Sequence, residues 1–365
     1  MRDRSTSAKT LLVLLSLACS LFGCQPTPED GPKKTPQAGG DAGRPMPTLH
    51  YFTWSDYVDK ALIEGFERQA GVKVAVDTFG SNEELLAKLQ SGASGYDVVV
   101  PSDFMVSIMI GQGLLADLDL TKIPNAGLVM ERLQRLPFDP NNRYSVPYLW
   151  GTVGIGYNSE VIAAPPDSWD ILWDIRYKGK ISMLNDQREV FGAALRAAGQ
   201  SINAKDAAVI AQARAKLLDQ KRLVKTYTSE NYHQLLAFGD VTLAQGWGGA
   251  VARAMVERPA IKYVIPKEGG TIWADCLVVL KTAPNKGLAM QFINYLLDRE
   301  VAAKTTERLL FASSNREAKA LVPERIRGNP AVYPPDSAWD RLEWMTDVGD
   351  AVRFYDQAWT ELKLQ

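Results

Sequence analysis

The chain carries two histidines, His50 and His233, in 365 residues, and three cysteines. Two histidines exclude a histidine-rich metal site. No nucleophile–base pair is visible, and the glycines of Gly246-Trp247-Gly248-Gly249 are too few and too irregular for a phosphate loop. Neither sign of charge is in excess. Lysine plus arginine number 41 against 42 aspartates and glutamates, so nucleic acid or an anionic surface is not an obvious partner. Long apolar runs are also missing. The stretch at 11–21 is too short for a typical membrane span.

That stretch follows Arg2, Arg4 and Lys9 and ends in Leu21-Phe22-Gly23-Cys24. The pattern is that of an export signal over 1–23, with a bacterial lipobox that places an acyl chain on Cys24. Cys19 then lies in the signal, and Cys276 alone remains in the mature body, so no intramolecular disulfide can form. An exported chain without a staple needs a large core. Residues 24–47 are rich in Pro, Gly, Lys and Asp and nearly free of apolar side chains, which predicts a flexible tether. Residues 48–365 exceed the size at which single cores usually split, so two lobes are expected.

Strand and helix patterns alternate through this part. Strands are expected at 48–52, 72–77, 97–100, 180–183, 242–245, 263–266 and 276–280. Helical spacing marks 60–70, 83–90, 188–198, 204–219, 229–238, 285–297 and 347–363. Ser81-Asn82-Glu83-Glu84 reads as a capping box. The order argues for an α/β protein with mostly parallel sheets flanked by helices. The extended segment 144–157 and the pair Gly269-Gly270 are candidate crossings between lobes.

Large aromatics accompany carboxylates in Trp54-Ser55-Asp56-Tyr57 and Trp273-Ala274-Asp275. Asp186-Gln187-Arg188-Glu189 supplies further acids, and Trp247 a further ring. Rings attract an ammonium and carboxylates neutralise it, so this chemistry suits an organic cation. Ligands of open α/β sheets sit beyond the carboxyl ends of strands. Trp54, Ser102, Asp186 and Trp247 all follow expected strands. Bland alternatives remain: Asp186 and Glu189 can cap a helix, and Trp54 and Trp247 can be packing residues. Trp273-Ala274-Asp275, at an expected strand start, is the sharpest element. Alternation puts Trp273 and Asp275 on one side, and a carboxylate beside an indole is poor core material unless paired.

The motifs YFTWSDYV, SNEELLAKL, YDVVVPS, FDPNN, VPYLWGTVGIGYN, DQREVFGAAL, PKEGGTIWAD and TDVGDAV, in this order and spacing, resemble the periplasmic spermidine/putrescine-binding proteins of polyamine ABC transporters. The resemblance runs from about Leu49 to the C-terminus. It implies a type II-like periplasmic-binding fold with two lobes and a hinged cleft. Lobe 1 would comprise 48–152 plus 274–319, and lobe 2 would comprise 153–273 plus 320–365. It makes Trp54 and Tyr57 cleft walls, with Ser55 and Asp56 near one amine end. Ser102 and Ser229 become polar contacts, Asp186 and Glu189 the acids that receive an amine, Trp247 and Trp273 the rings that sandwich methylenes, and Asp275 the central acid. Phe104 and Phe311 stand where tyrosines are common, and Met345 where the spermidine type has glutamine. Ala250 lacks the aspartate of putrescine-preferring members.

The expected role is a polyamine receptor that favours spermidine over putrescine. It would be a monomer without catalysis, cofactor, metal or nucleic acid, anchored by lipid outside the cytoplasm and delivering ligand to an ABC permease. A polyamine sensor that docks a signalling receptor, and a receptor for another organic cation, are the alternatives.

Overall fold

The computed structural model describes residues 46–364; the signal, Cys24 and nearly all of the tether lie outside them. The chain opens with β1 (Thr48–Trp54), α1 (Lys60–Ala70), β2 (Lys73–Phe79), α2 (Asn82–Gln90), β3 (Val98–Val99) and α3 (Asp103–Gly111). β1 lies between β2 and β3, parallel to both. Local chemistry sets the helix starts. Asp59 caps α1 by accepting from Ala61 N and Leu62 N at 2.9 and 3.3 Å. Ser81 caps α2 through Glu84 N at 3.1 Å. The Glu84 side chain turns to Gly80 N at 2.7 Å, so the box closes one residue early.

Short 3-10 turns lead to β4 (Ser145–Asn158), buried along its whole length. The second half repeats the alternation: β5 (Ile181–Met183), α4 (Gln187–Ala197), α5 (Ala207–Lys221), β6 (Val224–Tyr227), α6 (Tyr232–Phe238), β7 (Leu243–Trp247), α7 (Gly248–Glu257) and β8 (Ile261–Val264). β5 pairs in parallel with β6 and β7. β9 (Gly270–Val279) then returns to the first half. It is followed by α8 (Lys286–Leu296), α9 (Arg299–Leu309), β10 (Ala312–Ser313), α10 (Ala318–Leu321), α11 (Glu324–Arg327), β11 (Leu342–Trp344) and α12 (Val352–Leu364).

The strand order is β2-β1-β3-β9-β4-β7-β5-β6. Each half is therefore a parallel triplet closed by one antiparallel strand. β9 closes the first against β3, and β4 closes the second against β7. β4 changes partner along its length. Residues 145–152 pair with β9 and residues 153–157 with β7. Two glycines permit this. A Cβ at Gly151 would lie 2.7 Å from the Trp273 ring, and one at Gly154 2.4 Å from Val264 O.

Three expectations change. β9 begins at Gly270, so Trp273 and Asp275 are mid-strand; both edges of that segment find partners, β4 on one side and β11 on the other. α3, α7 and α9 were not expected; the apolar run of α3 lacks a polar face. The last helix starts at Val352, since 349–351 form a 3-10 turn.

Asp139, from the FDPNN motif, launches β4. Its carboxylate is 4% exposed and accepts from Arg143 N, Tyr144 N, Ser145 N and Ser145 Oγ at 2.8–3.0 Å. Asp139→Ala orphans these donors and should lower stability by roughly 2–4 kcal/mol. Urea unfolding measures this; a loss under about 1 kcal/mol would show that water replaces the carboxylate.

Candidate functional site

β9 carries the centre of the site. Its alternation presents Thr271, Trp273 and Asp275 on one face, with Gly151 of β4 opposite Trp273 and Leu149 opposite Asp275. Asp275, 4% exposed, accepts hydrogen bonds from Tyr57 OH and from Ser102 Oγ at 2.6 Å. Ser102 is itself held by Asn82: Nδ2 donates to its Oγ at 3.1 Å and Oδ1 accepts its N–H at 3.0 Å. Burial raises the Asp275 carboxyl to about 6, against the lowering effect of the two hydroxyls. Burial, then the Asp275 charge, pushes the Tyr57 phenol up, so it stays a donor.

Three rings converge beside this carboxylate. Trp273 meets Phe311 edge to face at 5.5 Å, and Phe311 meets Tyr57 at 5.6 Å. Gly249 makes room, since a Cβ there would lie 2.3 Å from the Phe311 ring.

The second cluster opens α4. Asp186 Oδ1 accepts Glu189 N at 3.0 Å, so its capping role is real. Glu189 does not return the bond. It turns inward, buried, and Oε2 accepts from Thr271 Oγ1 at 2.8 Å. This attaches Glu189 to the face that bears Trp273 and Asp275. Burial drives both carboxyls above the usual range, and the Asp186 charge adds to the effect on Glu189. A further acid, Asp103, had no distinguishing mark in the sequence, where it is one carboxylate ahead of an apolar run. It is buried, accepts from Ala274 N at 3.3 Å, and is raised to about 8, chiefly by burial.

The remaining expected residues divide. Trp54 ends β1, half-buried against Phe79 at 4.7 Å. Trp247 ends β7, half-buried, its N–H bonded to Tyr232 OH at 3.0 Å. Met345 is buried directly after Trp344, which pairs with Ile272 of β9. Phe104 is half-buried on α3. Ser55 is exposed. Asp56 is also exposed, and Arg253 of α7 neutralises it at 2.7 Å. Its charge is thus already answered by the protein. Ser229 Oγ accepts Asn185 N at 3.0 Å and supports the loop before α4. Asn82 and Asp103 are the residues missed. Among the described residues no group of three or more His, Cys, Asp and Glu is placed to hold a metal, and no helix is long and apolar enough to cross a membrane.

The arrangement can neutralise and stack an elongated cation. It also dictates a pH response. Asp103 and Glu189 hold protons in the folded state at a pH where the unfolded chain has lost them, so unfolding becomes easier as pH rises through the window. The groups that act on them are Arg188, Asp186 and Asp275. His233, lowered by burial, acts oppositely but only below its ordinary value. Stability of the unliganded protein should therefore fall between pH 6.5 and 8. Urea midpoints across that range that stay level or rise would contradict the assignment.

Comparison with known proteins places this geometry. Residues 61–334 match the model of the bacterial extracellular solute-binding proteins. The chain is 36% identical to spermidine/putrescine-binding periplasmic protein 1 of Haemophilus influenzae over 97% of its own length and 98% of that protein's. It is 34% identical to the putrescine-binding periplasmic protein PotF of Escherichia coli K12, over 87% and 91%. The crystal structure of the TpPotD lipoprotein of Treponema pallidum superposes with a TM-score of 0.80 at 33% identity, covering 87% of this chain and all of the other. With parallel triplets closed by exchanged strands, and a match over most of its length, the chain belongs to the bacterial extracellular solute-binding proteins, a family of two-lobed binding proteins and not of enzymes.

Proposed function

We propose that this protein is a polyamine receptor that serves an ABC permease outside the cytoplasm. One observation carries the reading: a series of buried carboxylates, Asp275, Asp103 and Glu189, whose hydrogen bonds come from hydroxyls and peptide N–H groups, beside the rings of Trp273, Phe311 and Tyr57. A buried acid without a cation is costly, and a ligand that carries several ammoniums removes that cost. A neutral sugar would not. Relatives named for spermidine and putrescine support the same class.

The site favours a triamine. Thr271, which holds Glu189, and Asp275 are four residues apart on one strand, a separation of about 13 Å. A triamine brings a third charge to this length that a four-methylene diamine lacks. Trp54, Trp247, Phe104 and Met345 would complete the walls, and Asp186 would lie at the Glu189 end. The division into 48–152 plus 274–319 and 153–273 plus 320–365 is supported by the change of β4 partners after Thr152. Closure of the two lobes about β4 and β9 would enclose the ligand.

Calorimetry with spermidine and putrescine tests the assignment. Spermidine should bind more tightly. Asp275→Asn keeps the shape, removes the counter-charge, and should weaken spermidine by roughly 2–5 kcal/mol; Trp273→Ala should weaken it as well. Unchanged isotherms for both variants would remove the site. Tighter putrescine binding would reverse the preference, and no binding of either would end the polyamine reading.

The anchor is a separate question. Acylation of Cys24 would tie the receptor to the membrane through a tether long enough to leave the fold untouched. Cys24→Ala should then move the exported protein from the detergent to the aqueous phase. A variant that still enters detergent would show that the lipid is not on Cys24.

A further inference from the structure

We infer that Asp103 is a specificity-determining residue of the cleft, which receives the internal ammonium of a triamine between the charges taken by Asp275 and Glu189. This rests on the polyamine reading.

Asp103 opens α3 directly after Ser102 and is 1% exposed. Its Oδ2 accepts the N–H of Ala274, between Trp273 and Asp275, at 3.3 Å; Oδ1 accepts Phe104 N at 2.7 Å. Both donors are neutral peptide groups. They satisfy lone pairs without cancelling a charge.

Among the described residues, no lysine or arginine forms an ion pair with it. Arg188, the cation whose field reaches it, has both terminal nitrogens bonded elsewhere. Its Nη1 donates to Thr346 O at 3.2 Å and its Nη2 to Asn203 Oδ1 at 3.1 Å, and its guanidinium lies over Tyr355. The other titratable groups coupled to Asp103 are Asp275, Glu189 and the buried Cys276 thiol. The acids share its sign and make its ionisation harder.

A simple helix-capping role does not account for this placement. An acid in a first helical turn is stabilising while ionised, yet this one is sealed against the strand that carries the site. Its place along that strand is informative. Glu189 is bonded to Thr271, Asp103 to Ala274, and Asp275 follows. A cation brought beside Asp103 would replace its proton. The carboxylic O–H bond breaks, the proton leaves to buffer, and ammonium N–H groups bond the carboxylate.

The test is calorimetry at pH 7 on the wild type and Asp103→Asn, with spermidine and putrescine, in two buffers of different ionisation enthalpy. Asparagine removes the charge and keeps one of the two oxygen acceptors, the one that can serve the shorter bond from Phe104 N. Spermidine affinity should fall roughly tenfold or more, while putrescine should change less than about threefold. The wild type should release about one more proton with spermidine than with putrescine, and the variant should lose that excess. Equal losses for both ligands, or none, overturn the role of Asp103 and leave the polyamine reading standing. A wild type that binds neither ligand overturns both. If the variant does not fold, the wild-type proton count decides, because equal release with the two ligands excludes a carboxyl reserved for the internal charge.

Discussion

The antiparallel pairing of β4 with β9 is the constraint on which the rest of the molecule depends. Both strands are buried at every position, and each closes a parallel triplet built mainly by the other half of the chain. β4 in addition pairs with β7 and β8 of the second half, so a change on either strand reaches the pairing that joins the halves. The candidate ligand contacts Trp273 and Asp275 lie on one of these strands, and Gly151, which admits the Trp273 ring, lies on the other. The site is therefore mounted on rigid backbone, where a binding constellation is held more accurately than on loops.

Burial at this junction creates an electrostatic problem that a cationic ligand would resolve. Asp275 has two hydroxyl donors and remains raised to about 6. Asp103 and Glu189 have weaker support and are pushed higher. Asp139, equally buried, accepts four bonds at the start of β4. The contrast separates a structural acid from candidate binding acids. One is saturated by the chain; the others retain capacity for a partner with charge.

Much of the local structure was legible. The periodicity of 60–70 matches α1, and alternation correctly placed Trp273 with Asp275 on one face. Other features were hidden for physical reasons. The early start of β9 depends on β11, a strand some seventy positions later in sequence, which no local pattern can announce. Glu189 sits in a spacing that also specifies a capping box, and the pattern does not reveal which way the side chain turns. The family resemblance puts Asp56 near an amine end; its ion-pair partner Arg253 lies on α7, a helix that local pattern did not reveal. Asp103 had no signal at all, since burial of an acid at a helix start is a tertiary property. Phe311 entered through family resemblance and was placed by its contacts with Trp273 and Tyr57.

The same interactions bear on closure. Arg253 and Asp56 join α7 to the turn after β1, so this ion pair spans the two halves. Its aspartate is largely exposed, and pairs of that kind contribute about 0–1 kcal/mol. Against it stand several carboxylates gathered from both halves, Asp103 and Asp275 with Glu189 and Asp186, which repel one another once ionised. Bringing them together without a cation requires protonation or separation. On the polyamine reading, a bound oligocation would offset this repulsion by placing positive charge among the acids, and the rings of Trp273 and Phe311 would cover its methylenes. On that reading the ion pair registers the two halves, and the ligand adds an attraction that the protein alone lacks. The discrimination follows from the same balance, because a ligand with too few charges leaves an acid buried and unpaired.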